Sequence, residues 1–151
     1  MLIRASVEAG IEPIIIPGVS ALTFAISASA LPSDHFTFHG FVPVKSGRRR
    51  AELERIAADK RTAVVFESPF RIAKLLSEVA EVIGPDTPLA LVREATKIHE
   101  QILRGPASVL AEQAKKVNWK GEIVLVIDAR DAADRASDGA SDAAQDAPAE
   151  D

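Results

Sequence analysis

Residues 62–83 read Thr62-Ala63-Val64-Val65-Phe66-Glu67-Ser68-Pro69-Phe70-Arg71-Ile72-Ala73-Lys74-Leu75-Leu76-Ser77-Glu78-Val79-Ala80-Glu81-Val82-Ile83. They hold the three parts of a strand, turn and helix. Thr62 to Phe66 is a short β-branched and aromatic run that suits a buried strand. Ser68 and Pro69 have the pattern of a helix N-cap and first helical residue. Ile72, Leu75, Leu76, Val79, Val82 and Ile83 then recur at three- and four-residue intervals, which puts them on one helical face. Gly84-Pro85 stops that helix.

Working outward, the same alternation repeats. Downstream, Leu89-Ala90-Leu91-Val92 is a second buried strand and residues 97–103 suit an edge strand. Gly105-Pro106 opens a helix carrying Val109, Leu110 and Ala114, and residues 121–127 form a final strand ending Ile123-Val124-Leu125-Val126-Ile127. Upstream, residues 46–60 read as a helix with Leu53, Ile56 and Ala57 inward. Phe36, Phe38 and Gly40 alternate with Thr37, His39 and Phe41 as in a half-buried strand. The order after Leu31 is β-α-β-α-β-β-α-β, an α/β layer with mixed pairing.

The first thirty residues read as helix, strand, helix. Leu2, Ile3, Ser6 and Val7 share a face that Gly10 ends. Pro13-Ile14-Ile15-Ile16 suits a strand buried on both sides, Pro17-Gly18 turns the chain, and Leu22, Ala25, Ile26 and Ser29 line a helix entered at Ser20. Three isoleucines in such a strand need neighbours on both sides, and no earlier residues supply them. The expectation is a chain that starts inside a domain.

Composition narrows the function classes. The 151 residues are 47% hydrophobic and 26% charged, which excludes a fully disordered chain. There is no cysteine, so disulfides, thiolate nucleophiles and cysteine-based zinc sites are excluded, and a reducing, cytoplasmic setting is the natural expectation. The apolar run over 19–31 is short and broken by serine and threonine, so no membrane span is expected. Met1-Leu2-Ile3-Arg4 lacks the pattern of a signal peptide. Residues 128–151 carry eight acids against two bases, which leaves the rest at net +2. An acidic, disordered tail on a mildly basic body is expected, and the imbalance hints at a polyanionic partner.

Several chemistries can be set aside. Neither dinucleotide nor P-loop glycine motifs occur. Gly18-Val19-Ser20-Ala21-Leu22 has leucine where a nucleophile elbow needs glycine. Pro17-Gly18-Val19-Ser20 is a tight strand-to-helix turn in which Ser20 caps the helix or the backbone holds a ligand. His35 and His39 fall in a strand, about 13 Å apart, so no metal site is expected. Lys45, Arg48, Arg49 and Arg50 crowd the start of a helix, where the macrodipole disfavours cations. They read as phosphate-facing charges, or as a solvated face balanced by Glu52 and Glu54. Glu67 with Arg71, and Arg93-Glu94-Ala95-Thr96-Lys97-Ile98-His99-Glu100, follow buried strands, where ligands bind in open α/β sheets; an ion pair and a polar loop are the plainer alternatives.

With these segments in hand, the chain resembles the tetrapyrrole-methylase superfamily, and within it the methyltransferases of small-subunit ribosomal RNA. The resemblance rests on Pro17-Gly18-Val19-Ser20-Ala21, Leu31-Pro32-Ser33-Asp34, Gly40-Phe41-Val42-Pro43-Val44-Lys45-Ser46-Gly47, Glu67-Ser68-Pro69-Phe70-Arg71, the Arg93 to Glu100 segment, Arg104-Gly105, and Lys120-Gly121-Glu122-Ile123-Val124-Leu125-Val126. It implies the C-terminal domain of a tetrapyrrole-methylase-like α/β fold, a mixed sheet with helices, plus the last helix-strand-helix of a first domain. The division is 1–33, 34–127 and a tail at 128–151. It further implies S-adenosyl-L-methionine-dependent methylation of a cytidine ribose 2′-hydroxyl in 16S rRNA of the small ribosomal subunit. Pro17, Gly18, Val19, Ser20, Ala21, Gly121 and Glu122 would wall the cofactor cleft. Lys45, Arg48, Arg49, Arg50 and Arg71 would face rRNA, and Glu67, Glu94 and His99 are candidate bases. The superfamily also admits a homodimer.

The chain departs from the family at Phe70, where histidine is usual, and it lacks the early loops that complete the cleft. A truncated methyltransferase without turnover of its own is therefore expected. A non-catalytic basic RNA-binding remnant is the alternative. A methylase of small tetrapyrroles is a third reading, against which the Lys45 to Arg50 segment argues.

Overall fold

The computed structural model describes residues 2–135. Its elements are α1 (Leu2–Glu8), α2 (Ala21–Ser29), β1 (Phe36–Phe41), α3 (Ser46–Asp59), β2 (Thr62–Glu67), α4 (Ile72–Val82), β3 (Pro88–Arg93), β4 (Gln101–Pro106), α5 (Ala107–Ala114) and β5 (Ile123–Asp128). From β1 onward this is the order the sequence predicts. The strands form one sheet, β1-β2-β5-β3-β4. β1 runs parallel to β2, and the other neighbours are antiparallel. The mixed α/β class is as expected.

Strand alternation divides the core. Ala63 and Val65 of β2, Leu89 and Leu91 of β3, and Leu125 and Ile127 of β5 face α3, α4 and α5, where Leu53, Ile56, Ile72, Leu75, Leu76, Val79 and Leu110 meet them. Val64, Ala90, Val92, Val124 and Val126 face the other way, against Ala25, Leu22 and Ile26 of α2. The α4 stripe is the strongest periodic signal in the chain, and Ile72, Leu75, Leu76 and Val79 are all at most 1% exposed. α2 is tied to the body by Arg104, whose guanidinium donates to the carbonyls of Ala28 and Ser29. Residues 21–31 thus share the sheet's second core.

Four expectations need correction. Residues 13–16 form no strand, and Ile14, Ile15 and Ile16 are 91%, 67% and 87% exposed. No described strand lies beside them to take their backbone hydrogen bonds, and an isolated extended segment has no ladder to join. Ser20 makes no side-chain cap on α2. Ser68 does not cap α4, which begins at Ile72; its hydroxyl instead accepts from the Phe70 N–H within a preceding turn. The edge strand starts at Gln101, because Thr96 to Glu100 curl back through Thr96 N–H donating to the Glu100 carboxylate.

The folded body also outruns Ile127. Asp128 closes β5 opposite Thr62, and Asp128 and Ala129 are buried. The tail expected to be disordered lies, over 136–151, outside the described residues.

Candidate functional site

The topology sends the segments singled out above to one end of the sheet. β1, β2 and β3 point their carboxyl ends the same way, and antiparallel β5 starts there. Around that end lie an open cavity of about 410 Å³ and the turns that shape it. Phe41, Phe66 and Pro69 give it apolar walls, Ala21 of α2 borders one side, and Gly121 and Glu122 close another. The Phe66 ring is fixed edge-on between Phe38 and Phe41, with centroids 5.0 and 5.6 Å away. The volume falls in the range of small-molecule sites, and its few polar groups on an apolar lining have the usual composition of one.

The turn after β2 is built around Glu67. Alternation places its side chain with Ala63 and Val65, on the α3–α5 side of the sheet and away from Phe66. Its buried carboxylate takes the Ser68 N–H at 2.5 Å and the Arg71 guanidinium at 2.8 and 2.5 Å, all on Oε1. Oε2 is buried with no hydrogen-bond partner among the described residues. Ser68 O then accepts from Arg71 N–H at 3.0 Å. These bonds fix the turn, so Glu67 and Arg71 form the ion pair that was the plainer expectation.

Glu94 plays the matching part after β3. Its backbone has φ +50° and that of Thr96 +64°, conformations unfavourable for side-chain-bearing residues. Glu94 Oε1 accepts from the Glu122 N–H at 2.8 Å and from Lys97 Nζ at 3.0 Å. The backbone donor first, then Lys97, holds its carboxyl below the usual carboxylate range. Lys97 also reaches Glu122 at 2.9 Å. Gly121, at φ +87°, is the one residue type that fits here, since a Cβ would collide with the Glu94 carboxylate. With Arg93 Nε donating to Lys120 O at 2.8 Å, β3 sets the position of residues 120–122. Glu94 thus acts as a positioning group for a cavity wall.

His99 is exposed on the same loop and takes part in no hydrogen bond or ion pair among the described residues. Of the cofactor candidates, Ala21, Gly121 and Glu122 border the cavity; Pro17, Gly18, Val19 and Ser20 are exposed and do not line it.

The basic segment splits. Arg49 is 3% exposed and cannot reach a phosphate. Its guanidinium forks onto Glu78 through Nε and, at 2.7 Å, Nη2, and Nη1 donates to Val44 O at 2.8 Å. Arg49 is neither the phosphate-facing nor the solvated charge that the macrodipole argument made it, because α4 presents Glu78 across from it. The hydrogen bond from Arg49 lowers the Glu78 pKa. Arg50 is half-exposed and paired with Glu54 and Glu81. Lys45 and Arg48 are exposed and form no ion pair among the described residues. The aromatic wall, Phe41 and Phe66, is not among the candidate site residues read from the sequence; the signal available is a phenylalanine closing each of two predicted strands.

The chain is similar to known proteins over most of its length. The chain is 42% identical over 126 residues to ribosomal RNA small subunit methyltransferase I of Mycobacterium tuberculosis, covering 83% of this chain and 44% of that protein. It is 38% identical over 138 residues to the protein of the same name from Xylella fastidiosa, covering 90% and 50%. The chain spans about half the length of the curated relatives it matches. Among solved structures, a cobalt precorrin-4 methyltransferase superposes with a TM-score of 0.59 at 20% identity over 83% of this chain and 55% of the other. Uroporphyrin-III C-methyltransferase from Thermus thermophilus, complexed with S-adenosylhomocysteine, gives 0.52 at 19% over 84% and 57%. These two share the fold. The family model of the tetrapyrrole (corrin/porphyrin) methylases matches residues 2–111, most of the chain, and the chain belongs to that family.

Proposed function

We propose that the chain provides one wall of an S-adenosylmethionine site and the adjoining RNA-facing surface of an enzyme that methylates a cytidine ribose 2′-hydroxyl in 16S rRNA. The observation that carries the reading is the aromatic cavity at the same end of the sheet as Lys45 and Arg48, which are exposed and form no ion pair among the described residues. Its support is the 38–42% identity to proteins named ribosomal RNA small subunit methyltransferase I and a neighbour of the same fold solved with S-adenosylhomocysteine.

The cavity fits such a cofactor chemically. Phe41, Phe66 and Pro69 offer flat apolar surface for a purine, and Gly121 and Glu122 border it. When bound, the sulfonium supplies the methyl group. The chain's residues hold and orient: Glu94 and Lys97 fix the 120–122 turn, and Glu67 and Arg71 fix the turn carrying Pro69. Alignment of this kind is worth about 7–11 kcal/mol of barrier in favourable cases. Of the three candidate bases, Glu67 and Glu94 are engaged in holding turns, so proton removal falls to His99. Lys45 and Arg48 meet the phosphates. The cavity is open, so it encloses little of a ligand, and turnover by this chain alone is expected to be undetectable. The reading carries a cytoplasmic location and allows a homodimer. No described helix is long and apolar enough to cross a membrane.

The test is calorimetric titration with S-adenosylhomocysteine. Weak binding that Phe41→Ala abolishes supports the reading; Phe41 is 65% exposed, so the substitution leaves the core intact. Absence of binding, or binding indifferent to that substitution, overturns it.

A further inference from the structure

We propose that Phe70 is a stacking platform for an unpaired base of the RNA at the mouth of the cavity. The inference rests on the RNA reading above and adds a residue that recognises single-stranded character. Phe70 is 93% exposed, although it follows Pro69, which lines the cavity. It stands on a hydrogen-bonded turn: its N–H donates to Ser68 Oγ at 3.3 Å, the Ser68 N–H and the Arg71 guanidinium donate to Glu67 Oε1, and the Arg71 N–H donates to Ser68 O. A phenyl ring presented to water on a fixed turn loses little further freedom when it is covered.

Its surroundings favour a nucleic acid as the cover. Arg71, next in sequence, is spent on Glu67, so the cations open to phosphate are the neighbouring lysines and arginine. Lys120 precedes Gly121 of the cavity wall, is exposed and forms no ion pair among the described residues. Lys45 and Arg48 follow β1 at the same end of the sheet. Every base has a π-face, and exposed aromatic rings interleaved with cations are how single strands are bound without an aromatic pocket for each base. A paired base has both faces covered by its neighbours, so the platform discriminates single strands from duplex.

The test uses a fluorescein-labelled single-stranded oligoribonucleotide and its duplex, titrated by anisotropy. Phe70→Ala is expected to weaken the single strand by about 5- to 150-fold, the loss of one stacked base. Phe70→Trp restores it. The duplex affinity and the salt dependence stay as in the parent chain, because no phosphate contact is removed. Unchanged single-strand affinity in Phe70→Ala overturns the inference and leaves the proposed function standing. Equal losses for single strand and duplex also overturn it. Unchanged RNA affinity with altered sedimentation of Phe70→Ala shows a protein contact instead. A parent chain that binds no RNA defeats this inference and the RNA part of the proposed function, while cofactor titration still judges the methylase part.

Discussion

Arg49→Ala separates a structural arginine from an RNA-binding one. Arg49 is 3% exposed and forks onto Glu78, and it also ties Val44 O. Its removal leaves Glu78, whose side chain is 19% exposed, without its main partner. Breaking a fully buried pair costs about 3–5 kcal/mol. Glu78 retains some access to water, so about 2–4 kcal/mol is the better figure. For a chain of this size each kcal/mol lowers Tm by roughly 2–4 °C, which gives a drop on the order of 5–15 °C. Circular dichroism melts of Arg49→Ala and Arg48→Ala check this, the latter changing stability by less than about 0.5 kcal/mol. The same pair adds a pH dependence. Glu78 has a lowered pKa in the folded state because of the hydrogen bond from Arg49, so its contribution is complete above the unfolded value of about 4.3 and fades as pH falls through the native one. Glu78→Gln should flatten that acid limb. An unchanged melt in Arg49→Ala together with weakened RNA binding would refute the structural assignment.

Other outcomes follow from the turns and the chain end. Gly121→Ala should destabilise the fold by roughly 1–2 kcal/mol of backbone strain plus the displacement of Glu94, and part of the loss should vanish in a Glu94→Ala background; urea titration of the four-member cycle checks this, and strict additivity counts against the contact. Deleting residues from Asp128 onward should lower Tm measurably, since Asp128 completes β5 and Ala129 is buried; an unchanged Tm would mean that these two contribute nothing.

The fold was legible where burial and period coincide. Ile72, Leu75, Leu76 and Val79 repeat at helical spacing because one face of α4 is wholly covered, and Ile123 to Ile127 read as a buried strand because both faces are. Ile14, Ile15 and Ile16 have the same composition and form no strand, since composition states a preference and a ladder needs a neighbour. The site was legible as a set of segments at strand ends. Roles within it were not, because they depend on which face a residue takes. Glu67, although it borders the cavity, takes the sheet face opposite Phe66 by strand alternation and is held by Arg71, and Arg49 turns inward because Glu78 lies across from it. The latter relation is not local in sequence. Glu94 is engaged by a backbone N–H 28 residues away, which no spacing rule reveals.

The most direct test of the cofactor cavity is a ¹⁵N–¹H correlation spectrum titrated with S-adenosylhomocysteine, which registers weak binding residue by residue. The expected result is saturable shifts of the amides of Ala21, Phe41, Phe66, Gly121 and Glu122, lost in Phe41→Ala. An unchanged spectrum, or shifts confined to the opposite end of the sheet around Asp34, Lys60 and Thr62, would contradict the account.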